Sequence, residues 1–149
     1  MGYTTSQVAK KLGLTKDGLR YYEKEGLFPP ISKNESGHRV YSEDDVDWIF
    51  LIRCLRDTEM PISKIKQYVS FAIGGGENSI TERRKMLKEH EVFLVHKVKI
   101  YQSMLELIKK KVEFFDDTLN MDNPETGHCK NYAEEWEQFK LFIGGFERE

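Results

Sequence analysis

A heptad repeat extends over residues 79–119 and leaves this chain few ways to fold, because the stretch contains no glycine or proline. Ten of its twelve a and d positions are apolar, over more than five heptads. This repeat predicts a long coiled-coil helix, since its apolar stripe is buried only against a partner helix. A helix folding back within one chain would need an interruption. The residues expected to join two chains are Leu87, Leu94, Val98, Tyr101, Leu105, Ile108, Val112 and Phe115.

Two short helices are predicted near the N-terminus. Thr4 and Gln7 have the spacing of a capping box, and the apolar residues after them indicate a helix ending at Gly13. Thr15 can cap a second helix that ends at Gly26. Two helices joined by a short glycine-containing turn are typical of a helix-turn-helix.

Residues 30–41 are predicted to form a β-hairpin wing. The two prolines at its start cannot continue the preceding helix, and turn-forming residues surround Gly37. Residues 39–41 are typical of a returning strand. Two more helices should follow, one over residues 43–57 and one after Pro61.

The predicted fold is mainly α, with four helices and a small hairpin in a winged helix-turn-helix head. The expected divisions are the head at 1–73, a glycine-rich hinge at 74–78, the dimerising coiled-coil helix at 79–119, and a loop with a short amphipathic helix at 120–149. We expect the aromatic residues of the tail helix to pack across the dimer or to help bind an effector.

Charge is distributed unevenly along the chain. Residues 1–41 hold seven Lys/Arg and four Asp/Glu, a net +3, whereas the rest holds 16 and 21, a net −5. The N-terminal segment is therefore suited to nucleic acid, and the tail, with three basic and seven acidic residues, is not. No apolar run approaches the roughly 20 residues of a membrane span, no signal peptide is visible, and we expect a cytoplasmic protein without a membrane partner.

Several sequence blocks stand in an order and spacing that we recognise. They are Arg20-Tyr21-Tyr22-Glu23, Gly26-Leu27, Pro29-Pro30, Gly37-His38-Arg39-Val40-Tyr41-Ser42, Ile52-Arg53, Leu55-Arg56 and the run from Pro61 to Lys66. Over residues 4–70 the chain closely resembles the MerR family of transcription regulators. The coiled coil also fits the family plan, whereas the tail shows no detailed resemblance.

The resemblance implies how such a protein works. A homodimer joined by antiparallel coiled-coil helices binds a near-palindromic operator in double-stranded promoter DNA. An effector then makes it bend and untwist the DNA, which realigns the promoter for RNA polymerase. A DNA-architectural or excisionase-like winged helix is the alternative from another class, but those proteins are usually a bare head. No catalytic constellation is visible, and we expect no enzyme activity and no cofactor.

With this resemblance, the candidate DNA contacts come from three places. The N-terminal side of the second helix should enter the major groove, the wing should lie at the minor groove, and the helix after Pro61 should bind phosphate. One tyrosine of the adjacent pair should pack inward and the other should reach phosphate. The candidates are Thr15, Lys16, Arg20, Tyr21, Tyr22, Lys33, His38, Arg39, Tyr41, Ser63 and Lys66.

Cys54 is the candidate sensor residue. The run from Phe50 to Arg56 resembles the branch of the family that senses aldehydes, other electrophiles or nitrosative stress through one cysteine. Nearby guanidinium groups favour the nucleophilic thiolate. The other interpretations are a cysteine that only fills space in the core, and a small hydrophobic effector bound non-covalently between tail and rod.

A metal site is not expected. Besides Cys54, the chain has one cysteine, in the His128-Cys129 pair, and this supplies half of a zinc site at most. An iron–sulfur cluster needs about four cysteines.

Overall fold

The computed structural model describes residues 2–120 and 131–144. It confirms the mainly helical fold, with a winged helix-turn-helix head, a long helix and a short C-terminal helix. The helices are α1 (Thr5–Leu12), α2 (Lys16–Lys24), α3 (Glu43–Asp57), α4 (Ile62–Gly74), α5 (Ser79–Asn120) and α6 (Tyr132–Phe142). Within the described residues, no helix is long and apolar enough to cross a membrane.

Side-chain caps fix where the first three helices begin. The Thr4 hydroxyl accepts from the Gln7 N–H at 3.3 Å, and the Gln7 side chain accepts from the Thr4 N–H at 2.8 Å, which is the predicted capping box. Ser42 and Asp45 form a second box at the start of α3. The Thr15 hydroxyl accepts from the Gly18 N–H at 2.9 Å and starts α2. Each cap contributes about 1 kcal/mol of helix stability.

The chain forms two compact units, one up to Leu94 and one from Val95 onward. The core of the first unit consists of two clusters of buried apolar side chains. Leu19 and Ile49 belong to the cluster that holds α1 and α2 on α3, and both are almost fully buried. The second cluster, around Ile52 and Ile65, joins α3 to α4 and also contacts Leu87. The first turns of α5 are therefore part of the head's packing.

The wing is a narrow hairpin held by few backbone bonds. The Val40 N–H donates to the Ser32 carbonyl at 2.8 Å, and the Asn34 N–H donates to the His38 carbonyl at 2.9 Å. Gly37, with φ of 77°, makes the turn. Its left-handed backbone conformation favours glycine.

The segment predicted as the returning strand, residues 39–41, pairs with two different parts of the chain. Arg39 forms a bridge with Lys33 across the hairpin, whereas Tyr41 forms a bridge with Tyr3, ahead of α1. The Tyr41 ring is 1% exposed in the core, which fixes this residue to the body of the head. The wing therefore ends before Tyr41.

In the second unit, α6 packs on α5 of the same chain. The ring centroid of Phe114 lies 5.6 Å from those of both Phe139 and Phe142, and Trp136 lies 5.5 Å from Phe139. Lys111 sits among these rings and forms an ion pair with Glu135 at 2.7 Å. Phe139 and Phe142 thus pack on Phe114 of the same chain, and packing of the tail helix across a dimer stays a prediction. The His128-Cys129 pair and most of the predicted loop at 120–131 lie outside the described residues.

Candidate nucleic-acid interface

The N-terminal end of α2 presents three of the predicted contacts to solvent. Thr15, Lys16 and Arg20 are exposed, whereas Leu19 of the same helix is buried and anchors it. The Arg20 guanidinium lies 3.4 Å from the Asp17 carboxylate, and its side chain remains 68% exposed. An exposed ion pair of this kind contributes little stability, so Arg20 is free to exchange it for a phosphate or a base.

The two adjacent tyrosines have different environments. Tyr22 packs against both core clusters, and this burial raises the pKa of its hydroxyl. Tyr21 is 44% exposed. Tyr22 is therefore the tyrosine that packs inward, and Tyr21 is the one whose hydroxyl can reach a phosphate.

An ion pair joins the wing to α2. Arg39 Nε lies 2.8 and 2.9 Å from the two carboxylate oxygens of Glu23. Hydrogen bonding to Glu23 raises the pKa of the Arg39 guanidinium above its ordinary value. The pair sets the distance between the wing and α2, and it is a role for Arg39 that spacing alone did not indicate.

Between α2, the wing and the start of α1 lies an open cleft of about 410 Å³. Three cationic residues line it, Lys16, Arg20 and Arg39, and no acidic residue does. His38 also lines it, at the tip of the wing. A concave surface that combines a helix N-terminus, a hairpin and three cations, with no acidic side chain in its lining, fits the phosphate backbone of a duplex.

Thr5 and Ser6 line the same cleft, and sequence reasoning did not select them. They are the first two residues of α1, so their N–H groups are not bonded within the helix. A helix N-terminus attracts phosphate through these groups and through its dipole. The capping box at Thr4 and Gln7 was the sequence signal that could have located this site.

Other predicted contacts lie outside the cleft. Ser63 and Lys66 are on α4, where the Lys66 ammonium lies 2.6 Å from the Glu25 carboxylate. Hydrogen bonding to Lys66 lowers the pKa of Glu25. Lys33 is exposed on the wing but does not line the cleft, and Tyr41 is buried.

Cys54 is a free, partly buried thiol on α3. The two neighbouring guanidinium groups have other partners. Arg53 Nε donates to Asp57 at 3.1 Å, and Arg56 donates to the Met60 carbonyl at 3.2 Å. Both guanidinium groups are therefore hydrogen-bonded to other residues, at the end of α3 and in the turn after it.

A hydrogen-bond chain connects the turn that carries Cys54 to α5. The Thr58 hydroxyl donates to the Cys54 carbonyl at 2.7 Å and lies 2.7 Å from His90 Nε2. When the hydroxyl proton is donated to the Cys54 carbonyl, a protonated His90 Nε2 is the donor in the second bond. Burial, and then the charge of Lys64, lowers the pKa of His90, so the neutral ring is favoured.

The cleft and the helices around it define a winged helix-turn-helix DNA-binding protein. Residues 3–71 match the family described as MerR HTH family regulatory protein. An HTH-type transcriptional regulator of Haemophilus influenzae is 31% identical over 115 residues, which are 77% of this chain and 84% of that protein. The regulator AdhR of Bacillus subtilis is 37% identical over 90 residues, covering 60% of this chain and 64% of AdhR.

A solved structure gives the same result. The chain is similar, with a TM-score of 0.75 and 30% identity, to HiNmlR, a MerR family regulator that lacks the sensor domain and was crystallised on promoter DNA. The match covers 81% of this chain and 95% of HiNmlR. This chain belongs to the MerR family and is a DNA-binding transcription regulator, not an enzyme.

Proposed function

We propose that this protein binds a near-palindromic promoter operator as a homodimer and distorts the DNA in response to an effector. The observation that carries the proposal is the cleft lined by Lys16, Arg20 and Arg39 without an acidic residue. In each head, α2 enters the major groove, and the wing lies at the neighbouring minor groove. The N–H groups of Thr5 and Ser6 hold a phosphate between them.

The apolar seam of α5, which its a and d heptad positions form, supports the dimer. Where α5 belongs to the second unit, its seam residues are between 41% and 82% exposed, although α6 covers another face of the same helix. These residues are Val98, Tyr101, Leu105, Ile108, Val112, Phe115 and Leu119. A continuous apolar stripe left in water marks an interface, and antiparallel pairing of two such helices gives one head for each half-site.

The proposed role of each segment follows the divisions expected from the sequence. Residues 1–73 bind DNA, residues 79–119 dimerise, and the tail at 120–149 carries α6, which covers part of the long helix. The segment at 74–78 between them serves as a hinge, with Gly75 and Gly76 at φ of 61° and 96°. RNA polymerase at the distorted promoter is the second macromolecular partner.

Operator binding is tested with duplexes selected by the purified chain from a randomised pool. We expect Arg20→Ala to weaken binding by about 1–3 kcal/mol, because a cleft contact is lost. Lys24→Ala is the matched control, since Lys24 is an exposed cation on the same helix that does not line the cleft. Fluorescence anisotropy measures both. Equal affinities of the two variants would contradict the proposed docking.

The proposed effector is an electrophile that reacts with Cys54. The thiolate sulfur adds to the carbonyl carbon of an aldehyde, a C–S bond replaces the C–O π bond, and the oxygen takes a proton from water to give a hemithioacetal. The chain from Cys54 through Thr58 to His90 supports a link between this event and α5. Formaldehyde and methylglyoxal are suitable probes, with mass spectrometry of the adduct and anisotropy on the selected operator as readouts.

Cys54→Ser is the matched variant for this test. We expect the probe to change operator binding or promoter distortion of the wild type and to leave the variant unchanged. A wild-type thiol that reacts only after unfolding would make Cys54 a core residue. The aldehyde proposal would then be wrong, while operator binding would stand.

A non-covalent hydrophobic effector is the second candidate. The junction of tail and long helix, where it was first expected, is filled by Phe114, Phe139 and Lys111. A cavity of about 280 Å³ in the first unit, lined in part by Met60, Met86 and Phe93, is the observation that favours it. Blocking the thiols before adding a hydrophobic effector separates the two candidates, because only the non-covalent response survives.

A further inference from the structure

The Lys111 ammonium lies among four aromatic rings of the second unit, which we call the aromatic cage. The distance from Lys111 Nζ to the ring centroid is 4.5 Å for Phe139, 4.7 Å for Phe115, 4.9 Å for Phe114 and 5.7 Å for Trp136. α5 supplies two of the rings and α6 supplies the other two. All four centroids are within the roughly 6 Å over which a ring quadrupole attracts a cation.

A carboxylate adds negative charge to the cage. Glu135 Oε1 lies 2.7 Å from Lys111 Nζ, and the Glu135 side chain is 34% exposed, so water screens this ion pair only in part. Trp136 and Phe139 follow Glu135 on the same helix, and one turn of α6 therefore carries the carboxylate and two of the rings. Ring faces and one negative charge are the features that bind organic cations.

A primary ammonium is not the cation that suits this cage best. Lys111 Nζ is almost fully shielded from solvent, and although Glu135 lies close, it has no hydrogen-bond partner among the residues that the structure describes. An ammonium carries three N–H donors, and leaving them unbonded away from water costs free energy. A quaternary ammonium carries methyl groups in their place and needs no acceptor. The surroundings of Lys111 therefore fit a quaternary ammonium better than they fit the lysine.

The lysine can leave the cage while α6 stays in place. A flexible four-carbon stem joins its ammonium to α5, and the side chain is 23% exposed, so part of the stem already borders solvent. The contact between α5 and α6 also has a component without the lysine, since the rings of Phe114 and Phe139 meet edge to face at 5.6 Å. Phe114 and Phe139 are 7% and 1% exposed and hold the two helices together.

We propose that the aromatic cage is a binding site for a small quaternary ammonium compound, and that Lys111 is its built-in competitor. The methyl groups around the cationic nitrogen lie against the four rings, and the Glu135 carboxylate supplies the opposite charge. The Lys111 ammonium moves out to water when the ligand enters. The site lies wholly in the second unit and is independent of the proposed effector at Cys54.

Titration of the full chain with tetramethylammonium chloride tests the site. The chain has two tryptophans, Trp136 in the cage and Trp48 in the head, so their indole N–H resonances serve as reporter and internal control. Trp48→Phe assigns the two resonances. We expect a saturable shift of the Trp136 resonance and none of the Trp48 resonance, with sodium chloride at equal ionic strength as the blank.

A neutral isostere separates charge recognition from apolar filling. Choline should shift the Trp136 resonance as tetramethylammonium does. Dimethylbutanol, in which carbon replaces the quaternary nitrogen of choline, should bind at least about fivefold more weakly, because it makes no cation–π contact. Equal affinities of choline and dimethylbutanol would overturn the inference.

Removal of the competitor should strengthen binding. We expect Lys111→Ala to bind tetramethylammonium about tenfold more tightly than wild type, since wild type binds only in the fraction of molecules whose lysine has left the cage. Lys111→Ser is a second short replacement, and circular dichroism checks the helix content of both. Lys109→Ala is the matched control, because Lys109 forms an exposed pair with Glu106 on the same helix, and its affinity should equal that of wild type.

Loss of a ring should weaken binding in the chain without the competitor. Trp136→Leu combined with Lys111→Ala should bind about five- to thirtyfold more weakly than Lys111→Ala alone, measured by calorimetry, because one desolvated cation–π contact is lost. Equal affinities of wild type and both Lys111 variants, or shifts of Trp136 and Trp48 in parallel, would overturn the inference. Absence of a saturable Trp136 shift in the folded Lys111 variants would do the same, and each of these results would leave operator binding intact.

Discussion

The chain up to Leu94 and the chain from Val95 onward differ in where their large apolar side chains lie. In the first unit, Leu19, Ile49 and Ile65 are almost fully buried between helices of the same chain. In the second, α6 buries Phe114, but Leu105 and Ile108 on the seam of α5 are half or more exposed. The head thus completes its core within one chain, whereas the seam of the long helix is an apolar surface that this chain alone leaves exposed.

A sequence can thus bury its apolar residues in two ways, within one chain or against a second chain. The head's core depends on one chain and should be insensitive to protein concentration. In the proposed homodimer the seam is buried only on association, so the stability of the dimer should vary with protein concentration by mass action. Substitutions in the core of the head should therefore lower its stability at every protein concentration, whereas substitutions on the seam should act through association.

The largest effect is expected from charges placed on the seam. Leu105→Asp combined with Ile108→Asp should give monomers and lower operator affinity about 10²- to 10⁴-fold, since the second head no longer adds avidity. Light scattering and anisotropy measure the two quantities. Ser103→Asp, on an exposed position of the same helix outside the a and d positions, is the control. If the double variant is still a dimer, the seam is not the dimer interface.

The next largest effect is expected in the core of the head. Ile49→Ala should lower the free energy of unfolding by about 2–5 kcal/mol, because it leaves a cavity at a fully buried site. Ile108→Ala is the matched truncation on the seam. Urea unfolding at several protein concentrations should show a concentration-independent loss for Ile49→Ala and a concentration-dependent one for Ile108→Ala. The same concentration dependence for both would erase the distinction between the two regions.

A smaller effect separates the two roles of Arg39. Arg39→Gln should weaken operator binding by about 1–3 kcal/mol, since it removes both a cleft cation and the pair with Glu23. Glu23→Gln removes the pair but keeps the cation, so its loss of affinity should be smaller. Anisotropy in matched salt measures both. Equal losses would mean that Arg39 only positions the wing.

The smallest effect concerns pH and stays within the first unit. Because the folded state lowers the pKa of His90, its contribution to stability is present above the ordinary histidine pKa of about 6.5 and is lost as the pH falls below it. Wild type should lose more urea resistance than His90→Gln between about pH 7.5 and about pH 5.5. Lys64, Glu59 and Glu89, which line the same cavity, remain in both proteins. Parallel losses would assign the pH dependence to other groups.

The sequence predicted what depends on local pattern. Capping at Thr4, Thr15 and Ser42 placed the helix starts, and the heptad repeat placed α5. The resemblance selected Lys16 and Arg20, which do line the cleft.

What the sequence did not predict depends on contacts between distant residues. The pair of Arg39 with Glu23 and the bridge of Tyr41 with Tyr3 join residues that no periodicity relates. Lys66, a predicted DNA contact, forms an ion pair with Glu25, and the spacing of a cation along the chain does not show which carboxylate lies nearby. Phe114 likewise determines where α6 packs.

One measurement bears most directly on the central claim, that two copies of this chain clamp one operator. Light scattering of the complex between the protein and a selected operator duplex gives its mass, and so the number of chains on the DNA. We expect two chains per duplex for the wild type. For the variant with Leu105→Asp and Ile108→Asp, we expect weak binding of one. A single wild-type chain bound to the duplex with an affinity that seam charges do not change would contradict the claim.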